Sequence, residues 1–409
     1  MSSQTQRTKT KRRVNVRTPE VMARVEAEVA EHYESSIVEK LRARSGVLSI
    51  GKTTVRLAKQ FGFCYGVERA IDLAYASRRV FPENRIFLIG EIIHNPEVNR
   101  QLAAMDIVSL PWRAMNEQYD DLGENDVIIV PAFGAPVSFM DKVERQGCLT
   151  VDTTCGDVMK VWKRVRGFAK EGITSIIHGK ADHEETRATA SRAVGEDETG
   201  HYLIVLTLDD VDFVCEYLLR GGDADAFRER FAGAMSEGFD PDRHLTRLGV
   251  ANQTTMLKSE TEEIQRRVRE AIGRRDGNEG NFSVFDTICG ATQERQDALF
   301  ELLEQSMDLL LVVGGYNSSN TTHLVEIGEK ELPTFFIRSA DCIVSLEEII
   351  HYDLHQKEEI SAYSEIFRAE DPIVIGITAG ASCPNNLIED TILKVFALRG
   401  IDEETVRAA

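Results

Sequence analysis

No run of eighteen apolar residues occurs in this 409-residue chain, so no segment reads as a membrane-spanning helix. Basic residues are in deficit. Lys and Arg number 48 against 67 Asp and Glu, leaving a net charge of −19. That balance argues against general nucleic-acid binding, which needs a basic face. No secretory signal is evident, and the seven cysteines are odd in number and spread singly. Such usage is expected of reduced thiols in a cytoplasmic compartment rather than of a disulfide framework. Paired Cys-x-x-Cys ligands are missing too, which removes the usual structural zinc site. The length allows two or three domains with full cores.

What is present is a repeat. Val151-Asp152-Thr153-Thr154-Cys155-Gly156 reads as a buried strand running into a helix with Val158, Val161, Trp162 and Val165 on one face. The thiol therefore sits where helix N–H groups and dipole favour a thiolate, the form that binds metal. Phe285-Asp286-Thr287-Ile288-Cys289-Gly290 repeats the pattern, and Gln60-Phe61-Gly62-Phe63-Cys64-Tyr65-Gly66 supplies a third copy after a strand at Thr53 to Leu57. About thirty residues after each cysteine an apolar strand ends in a polar loop: His94-Asn95, His183-Glu184-Glu185 and Ser318-Ser319-Asn320. A third strand and loop closes each set, at Ala132-Phe133-Gly134, Gln253-Thr254-Thr255 and Gly380-Ala381-Ser382. One βα unit set used three times predicts an α/β fold of three small parallel-sheet domains. Functional groups of such sheets gather at the carboxyl ends of the strands. The expected boundaries are a basic tail and added helix at 1–54, then domains at 55–150, 151–284 and 285–409.

Other stretches carry weaker signals. Residues 1 to 19 hold Arg7, Lys9, Lys11, Arg12, Arg13 and Arg17 without an acid; a disordered tail is expected, with an organelle transit segment as the alternative. Residues 19 to 45 read as one helix. Gly46 to Thr53 spells the phosphate-binding P-loop pattern, but a charged helix precedes it and strand character follows, so nucleotide binding is rejected. Residues 207 to 245 read as an acidic, helix-prone insertion. Residues 345 to 370 read as a charged helix carrying His351 and His355 four apart on a solvated face. Cys148, Cys215, Cys342 and Cys383 lack the repeated context and read as ordinary thiols, although Cys383 falls in a loop expected to face the site.

Three isolated thiolates suit an iron–sulfur cube better than zinc or a disulfide. Four irons with three cysteine ligands leave one iron open as a Lewis acid. The surrounding loops offer His94, His183, Glu185, Thr254, Thr255, Ser318, Ser319, Asn320 and Ser382. This set is rich in neutral donors and contains one good proton source, which suits a phosphorylated alcohol. The residues alone describe an open-site iron–sulfur enzyme acting on an anionic hydroxyl compound.

In order, Gly62-Phe63-Cys64-Tyr65-Gly66-Val67, His94-Asn95, Asp152-Thr153-Thr154-Cys155, His183-x-Glu185, Gln253-Thr254-Thr255, Cys289 and Ser318-Ser319-Asn320 resemble the 4-hydroxy-3-methylbut-2-enyl diphosphate reductase family. The likeness spans about residues 55 to 400. It implies three α/β domains in pseudo-threefold array around a central [4Fe–4S] cluster held by Cys64, Cys155 and Cys289. It implies reductive removal of the hydroxyl from hydroxymethylbutenyl diphosphate, the last step of the methylerythritol phosphate route to isoprenoids. The products are isopentenyl and dimethylallyl diphosphate, and the electrons arrive singly from a ferredoxin or flavodoxin.

By the same resemblance Glu185 donates the proton, Thr254 links it to the substrate oxygen, and His183 assists and reaches the diphosphate. His94, Ser318, Ser319, Asn320 and Ser382 match the diphosphate cradle, with Thr255 behind them. Many members carry histidine where this chain has Phe133, so one donor to the diphosphate is missing or supplied from elsewhere. The Ala-Phe-Gly-Ala loop resembles the plant and cyanobacterial branch. Two rival readings are a redox-neutral hydratase and a non-enzymatic cluster sensor. An acidic donor protein must also find a basic patch on this acidic chain, and the N-terminal tail is one candidate.

Overall fold

The computed structural model describes residues 13–111, 119–195, 197–285, 288–363, 367 and 371–409. The chain divides into two compact units. One comprises Met1–Met22, Arg69–Ile92 and Arg100–Ile288; the other comprises Ala23–Glu68, Ile93–Asn99 and Cys289–Ala409.

The first unit contains two four-stranded parallel sheets. In spatial order these are Ile107–Leu110, Ile86–Ile89, Val127–Val130 and Leu149–Asp152, and then Tyr202–Val205, Thr174–His178, Leu248–Asn252 and Phe282–Val284. The central strands Val127–Val130 and Thr174–His178 are buried at every position. Parallel strands lie inside crossover helices, so both of their faces need apolar side chains.

The second unit holds a five-stranded sheet of Val47–Ile50, Thr53–Leu57, Ile373–Ala379, Leu309–Val313 and Thr334–Ile337, parallel except for its first pair. Apart from that added strand, all three sheets share one strand order. In each, the strand that precedes a cysteine lies at the edge of the repeated set, beside the third strand of the set. Thr53–Leu57, which leads to Cys64, accordingly pairs with Ile373–Ala379 from the far end of the chain. The repeat read in the sequence is thus a repeat of sheet topology, and the fold class is α/β.

Several local expectations are corrected. The single helix expected over 19–45 is two, Pro19–Tyr33 and Ser36–Ala43. Ser35 breaks it by accepting the Val38 N–H at 3.0 Å, an N-cap interaction that starts a new helix. The P-loop look-alike is an antiparallel hairpin between Val47–Ile50 and Thr53–Leu57, turning at Gly51 and Lys52; no helix begins there, as the strand character of its sequence required.

The described part of the tail begins at Arg13 and is packed on the protein. Val14 donates to the Thr150 carbonyl at 3.0 Å, Arg13 pairs with Asp152 at 3.4 Å, and Val16 is fully buried. Arg7, Lys9, Lys11 and Arg12 lie outside the described residues, as do Asp286 and Thr287 of the Cys289 motif.

The charged segment after 345 is not helical. Glu348–Asp353 and Glu358–Tyr363 form an antiparallel hairpin, with Asp353 accepting from His355 N and Gln356 N in the turn. Its β-branched and aromatic residues, Ile349, Ile350, Tyr352 and Ile360, outweigh its charge. His351 packs edge-on against Phe335 at 5.2 Å between ring centroids, and burial lowers its pKa, so it and His355 are not one face of a helix.

The acidic insertion does form helices, Leu208–Arg220, Ala224–Arg230 and Pro241–His244. A reciprocal capping box between Thr207 and Asp210 starts the first. Its aromatic residues are core: Phe227 is fully buried and sits against Tyr217 at 5.0 Å and Phe231 at 4.9 Å. The same cluster reaches Leu203, Val205, Leu248 and Val250 of the second sheet. Phe227→Ala should therefore destabilise the protein by about 3–5 kcal/mol, the cost of a large buried aromatic. A urea midpoint unchanged from wild type would show the insertion to be an appendage.

Candidate active site

The three repeated cysteines stand at the same structural position. Cys155 and Cys289 are the N-caps of helices Gly156–Lys170 and Gly290–Leu303, and Cys64 immediately precedes helix Tyr65–Val80. All three are free thiols of intermediate exposure. Cys148, Cys342 and Cys383 are buried instead, and burial pushes the Cys383 thiol up. Cys215 lies within a helix of the insertion, its thiol pushed up to about 11 by burial.

In the first unit the Cys155 turn is held from several sides. Asp152 Oδ1 accepts from Thr154 N at 3.0 Å and from Thr154 Oγ1 at 2.6 Å, while Thr153 Oγ1 donates to Val130 O at 2.6 Å. Arg69 donates to the carbonyls of Thr153 and Thr154 at 3.1 and 3.2 Å, and Cys155 N donates to Ala132 O at 2.8 Å. Gly134 lies behind this turn with φ +80°, and a Cβ there would meet the Trp162 ring at 2.2 Å. Only glycine satisfies both demands.

An acid–hydroxyl pair lies in the same unit. His183 caps helix Glu184–Ala193, and Glu185 falls in its first turn, where the helix dipole favours a carboxylate. Glu185 is 3 % exposed; its Oε1 accepts from Thr254 N at 2.6 Å and its Oε2 is 3.1 Å from Thr254 Oγ1. His183 Nδ1 accepts the Glu185 N–H at 3.1 Å, which leaves the proton of the neutral ring on Nε2. Thr255 Oγ1 accepts from Gln253 Nε2 at 2.9 Å, and Gln253 Oε1 accepts from Thr186 Oγ1 at 3.1 Å. Thr255 therefore helps to set the loop that carries Thr254.

Phe133 stands edge-on to the His183 ring with centroids 6.2 Å apart. Where a histidine would offer a donor, this chain packs an apolar edge against one.

The second unit gathers His94, Ser318, Asn320 and Ser382. Ser382 Oγ lies 3.3 Å from both His94 O and Ser318 Oγ. Ser318 caps helix Ser319–Gly328, and Asn320 Oδ1 accepts from Ala381 N at 2.9 Å. Asn320 Nδ2 is buried without a protein partner. Helix N–H groups, hydroxyls and this spare amide together offer the kind of donors an anion would need, because a helix start presents unpaired donors and a positive dipole end. Gly315 permits the close approach of the His94 loop: a Cβ there would lie 2.2 Å from His94 O.

The sequence reading missed two groups. Arg295 is 3 % exposed on the Cys289 helix, donates to Gly62 O at 2.5 Å, and interacts electrostatically with both Cys64 and Cys289. Burial lowers its pKa. Its one sequence signal is position, one turn into a helix opened by a ligand-type cysteine. Thr321, whose Oγ1 lies 3.0 Å from Ser318 Oγ, orients that serine and gave no signal beyond adjacency.

The fold and these groups define a class: an α/β protein with a repeated parallel sheet, cysteines at three strand-to-helix junctions, and a buried acid–hydroxyl pair. The chain belongs to the LytB protein family, whose profile matches residues 55–396. It is 46% identical over 395 residues to the 4-hydroxy-3-methylbut-2-enyl diphosphate reductase of Gloeobacter violaceus, covering 95% of this chain and 93% of that protein. It is 48% identical to the enzyme of the same name from Thermosynechococcus vestitus, with 90% of each chain covered. The reductase structure from Plasmodium falciparum shares the fold at a TM-score of 0.62 and 21% identity, covering 85% of this chain and 90% of that one.

Exposure separates the three repeated cysteines from the buried thiols Cys148, Cys342 and Cys383, while Cys215 is intermediate like the repeated ones. Metal-free native protein should react with an alkylating reagent at Cys64, Cys155 and Cys289 well before Cys148, Cys342 and Cys383, which should label only on unfolding. Peptide mass spectrometry against time checks this; equal rates would contradict the burial pattern.

Proposed function

We infer that this chain is a 4-hydroxy-3-methylbut-2-enyl diphosphate reductase of the methylerythritol phosphate pathway. It takes up two electrons and two protons, breaks the terminal C–O bond, and releases water with isopentenyl or dimethylallyl diphosphate. The observation that carries the reading is the buried Glu185–Thr254 pair, a proton source coupled to a hydroxyl inside a reductase-family fold. The hydratase and sensor readings gain nothing from relatives named as reductases.

We propose that Cys64, Cys155 and Cys289 hold a [4Fe–4S] cluster. The donor set fits one: three free thiols open helices at partly exposed positions, and the buried cation Arg295 lies beside two of them. When bound, the cluster supplies the electrons and a Lewis-acidic iron. The remaining work falls to the protein's own groups. The first turn of helix Ser319–Gly328, with Ser318, Asn320 Nδ2 and Ser382, binds the diphosphate, and His94 and the Nε2–H of His183 add donors. Charge-assisted bonds of this kind contribute about 1.5–3 kcal/mol each. Glu185 takes up a proton at Oε2, and Thr254 Oγ1, 3.1 Å away and the donor to that oxygen in the structure, relays it to the departing hydroxyl. Thr255 positions Thr254. Phe133 excludes water from the His183 ring face in place of a further donor.

In this reading residues 55–150, 151–284 and 285–409 form three domains, with 1–54 added at the front. A ferredoxin or flavodoxin supplies the electrons, and the compartment is the cytoplasm. No described helix is long and apolar enough to cross a membrane.

Glu185→Gln should lower kcat by roughly 10²–10⁴-fold, the usual worth of a positioned acid, with iron content unchanged. Thr254→Val keeps the backbone N–H and should lose less. Turnover of Glu185→Gln at the wild-type rate would sink the assignment. Cys155→Ser should lose bound iron while keeping its circular-dichroism spectrum; full iron occupancy in that variant would remove Cys155 from the ligand set.

A further inference from the structure

The helix that follows each repeated cysteine carries an arginine that reaches the loop ahead of the next cysteine. Arg69, on helix Tyr65–Val80, donates to the carbonyls of Thr153 and Thr154, which precede Cys155. Arg164, on the Cys155 helix, lies over the ring of Phe285, in the segment leading to Cys289, at 3.7 Å. Arg295, on the Cys289 helix, donates to the carbonyl of Gly62, which precedes Cys64, at 2.5 Å. The repeat of sheet topology therefore extends to a repeat of arginine contacts.

Burial sets Arg295 apart from the other two. Arg164 is exposed and Arg69 half-buried, whereas Arg295 is 3 % exposed. Its two terminal nitrogens donate to Gly62 O and Ala291 O, one carbonyl beside each of Cys64 and Cys289, and its Nε is buried without a protein partner. Carbonyls satisfy the donors but carry no net charge, and a guanidinium keeps its proton in a protein. Burial disfavours that charge; Cys64 and Cys289 are the strongest influences in its favour, ahead of the exposed Glu294, and Arg42 opposes it. A buried cation is costly unless negative charge matches it, and the two thiols supply that charge once they are deprotonated to bind metal.

We propose that Arg295 is a positioning residue acting through Cys64 and Cys289: it ties their two loops together and raises the reduction potential of the cluster they hold. The proposal rests on the cluster assignment made under the reductase reading. Uptake of one electron makes such a site one unit more negative. A cation fixed beside the ligands, away from water, therefore favours the reduced state over the oxidised one. Solvent screens an exposed charge, which leaves Arg164 without this leverage although it occupies the corresponding place in the repeat. A raised potential widens the range of one-electron donors able to reduce the site.

The test is an anaerobic redox titration of full-length holoenzyme, followed by electron paramagnetic resonance, with iron content measured on the same samples. Arg295→Gln keeps an N–H for the Gly62 carbonyl and removes the charge. At the wild-type midpoint its reduced-to-oxidised ratio should fall at least about tenfold, a downward shift of about 59 mV for a one-electron couple. Arg295→Lys should recover most of that shift, and Arg164→Gln should stay within about twofold of the wild-type ratio. Arg295→Met, also neutral, gives the same reading should Arg295→Gln lose its iron. An unchanged midpoint in the neutral variants would overturn the proposal. So would an equal shift in Arg164→Gln, or a fall in Arg295→Lys as large as that in Arg295→Gln, which would make the effect one of packing and not of charge. Wild-type protein that binds no redox-active iron would overturn the cluster assignment itself, a separate result.

Discussion

A parallel strand ends by handing the chain to a helix whose first N–H groups have no partners within it. That unsatisfied start of a helix is the constraint on which this molecule is built. Cys155, Cys289, His183 and Ser318 are all N-caps, and Cys64 directly precedes the first residue of its helix. At these four helix starts the chain places a thiol, an imidazole or a hydroxyl where the backbone leaves donors open. Helix starts of this kind favour negative charge in general, through their dipoles and spare amides.

The buried polar groups then set which atom does what. Glu185 spends Oε1 on the Thr254 N–H and keeps Oε2 for the Thr254 hydroxyl, so its useful oxygen is defined by the fold. His183 spends Nδ1 on the Glu185 N–H, which turns its remaining proton outward on Nε2. Asn320 spends its oxygen on Ala381 N and retains an amide donor. In each case the fold fixes which end of a bifunctional side chain serves as its anchor. Of these groups the Asn320 amide is the one buried without a protein partner, a costly state for a donor in an apolar interior.

Close packing tightens these positions. Gly134 against Trp162, and Gly315 against the His94 carbonyl, let backbone approach where any Cβ would collide. The Arg192 guanidinium lies over the Trp162 ring at 3.4 Å and donates to Ala135 O at 2.8 Å, bracing the wall behind the Cys155 turn. Phe133 belongs to the same wall. Its ring sets an apolar edge beside the His183 imidazole, with centroids 6.2 Å apart.

The three cysteines, the polar loops about thirty residues beyond each, and the third loops that close the sets were legible in the sequence. Strand-to-helix periodicity and repeated dipeptides are local signals, and all three sheets repeat one strand order as that periodicity implied. Composition misled where it stood in for pattern: the charged segment after 345 is a hairpin because Ile349, Ile350, Tyr352 and Ile360 outweigh its glutamates. Only the tertiary structure decided the rest. Thr53–Leu57 finds its partner 320 residues later at Ile373, a pairing set by sheet closure rather than by any neighbouring residue. Val14 adds to a sheet edge from within a segment whose charge alone spoke for disorder. Arg295 is a surface-type residue by sequence, and it becomes the buried cation beside two cysteines because the helix that Cys289 opens turns it inward onto the Gly62 carbonyl. Residue type and spacing determined which chemistry the chain carries; long-range packing determined which atoms are buried, paired and left free to perform it.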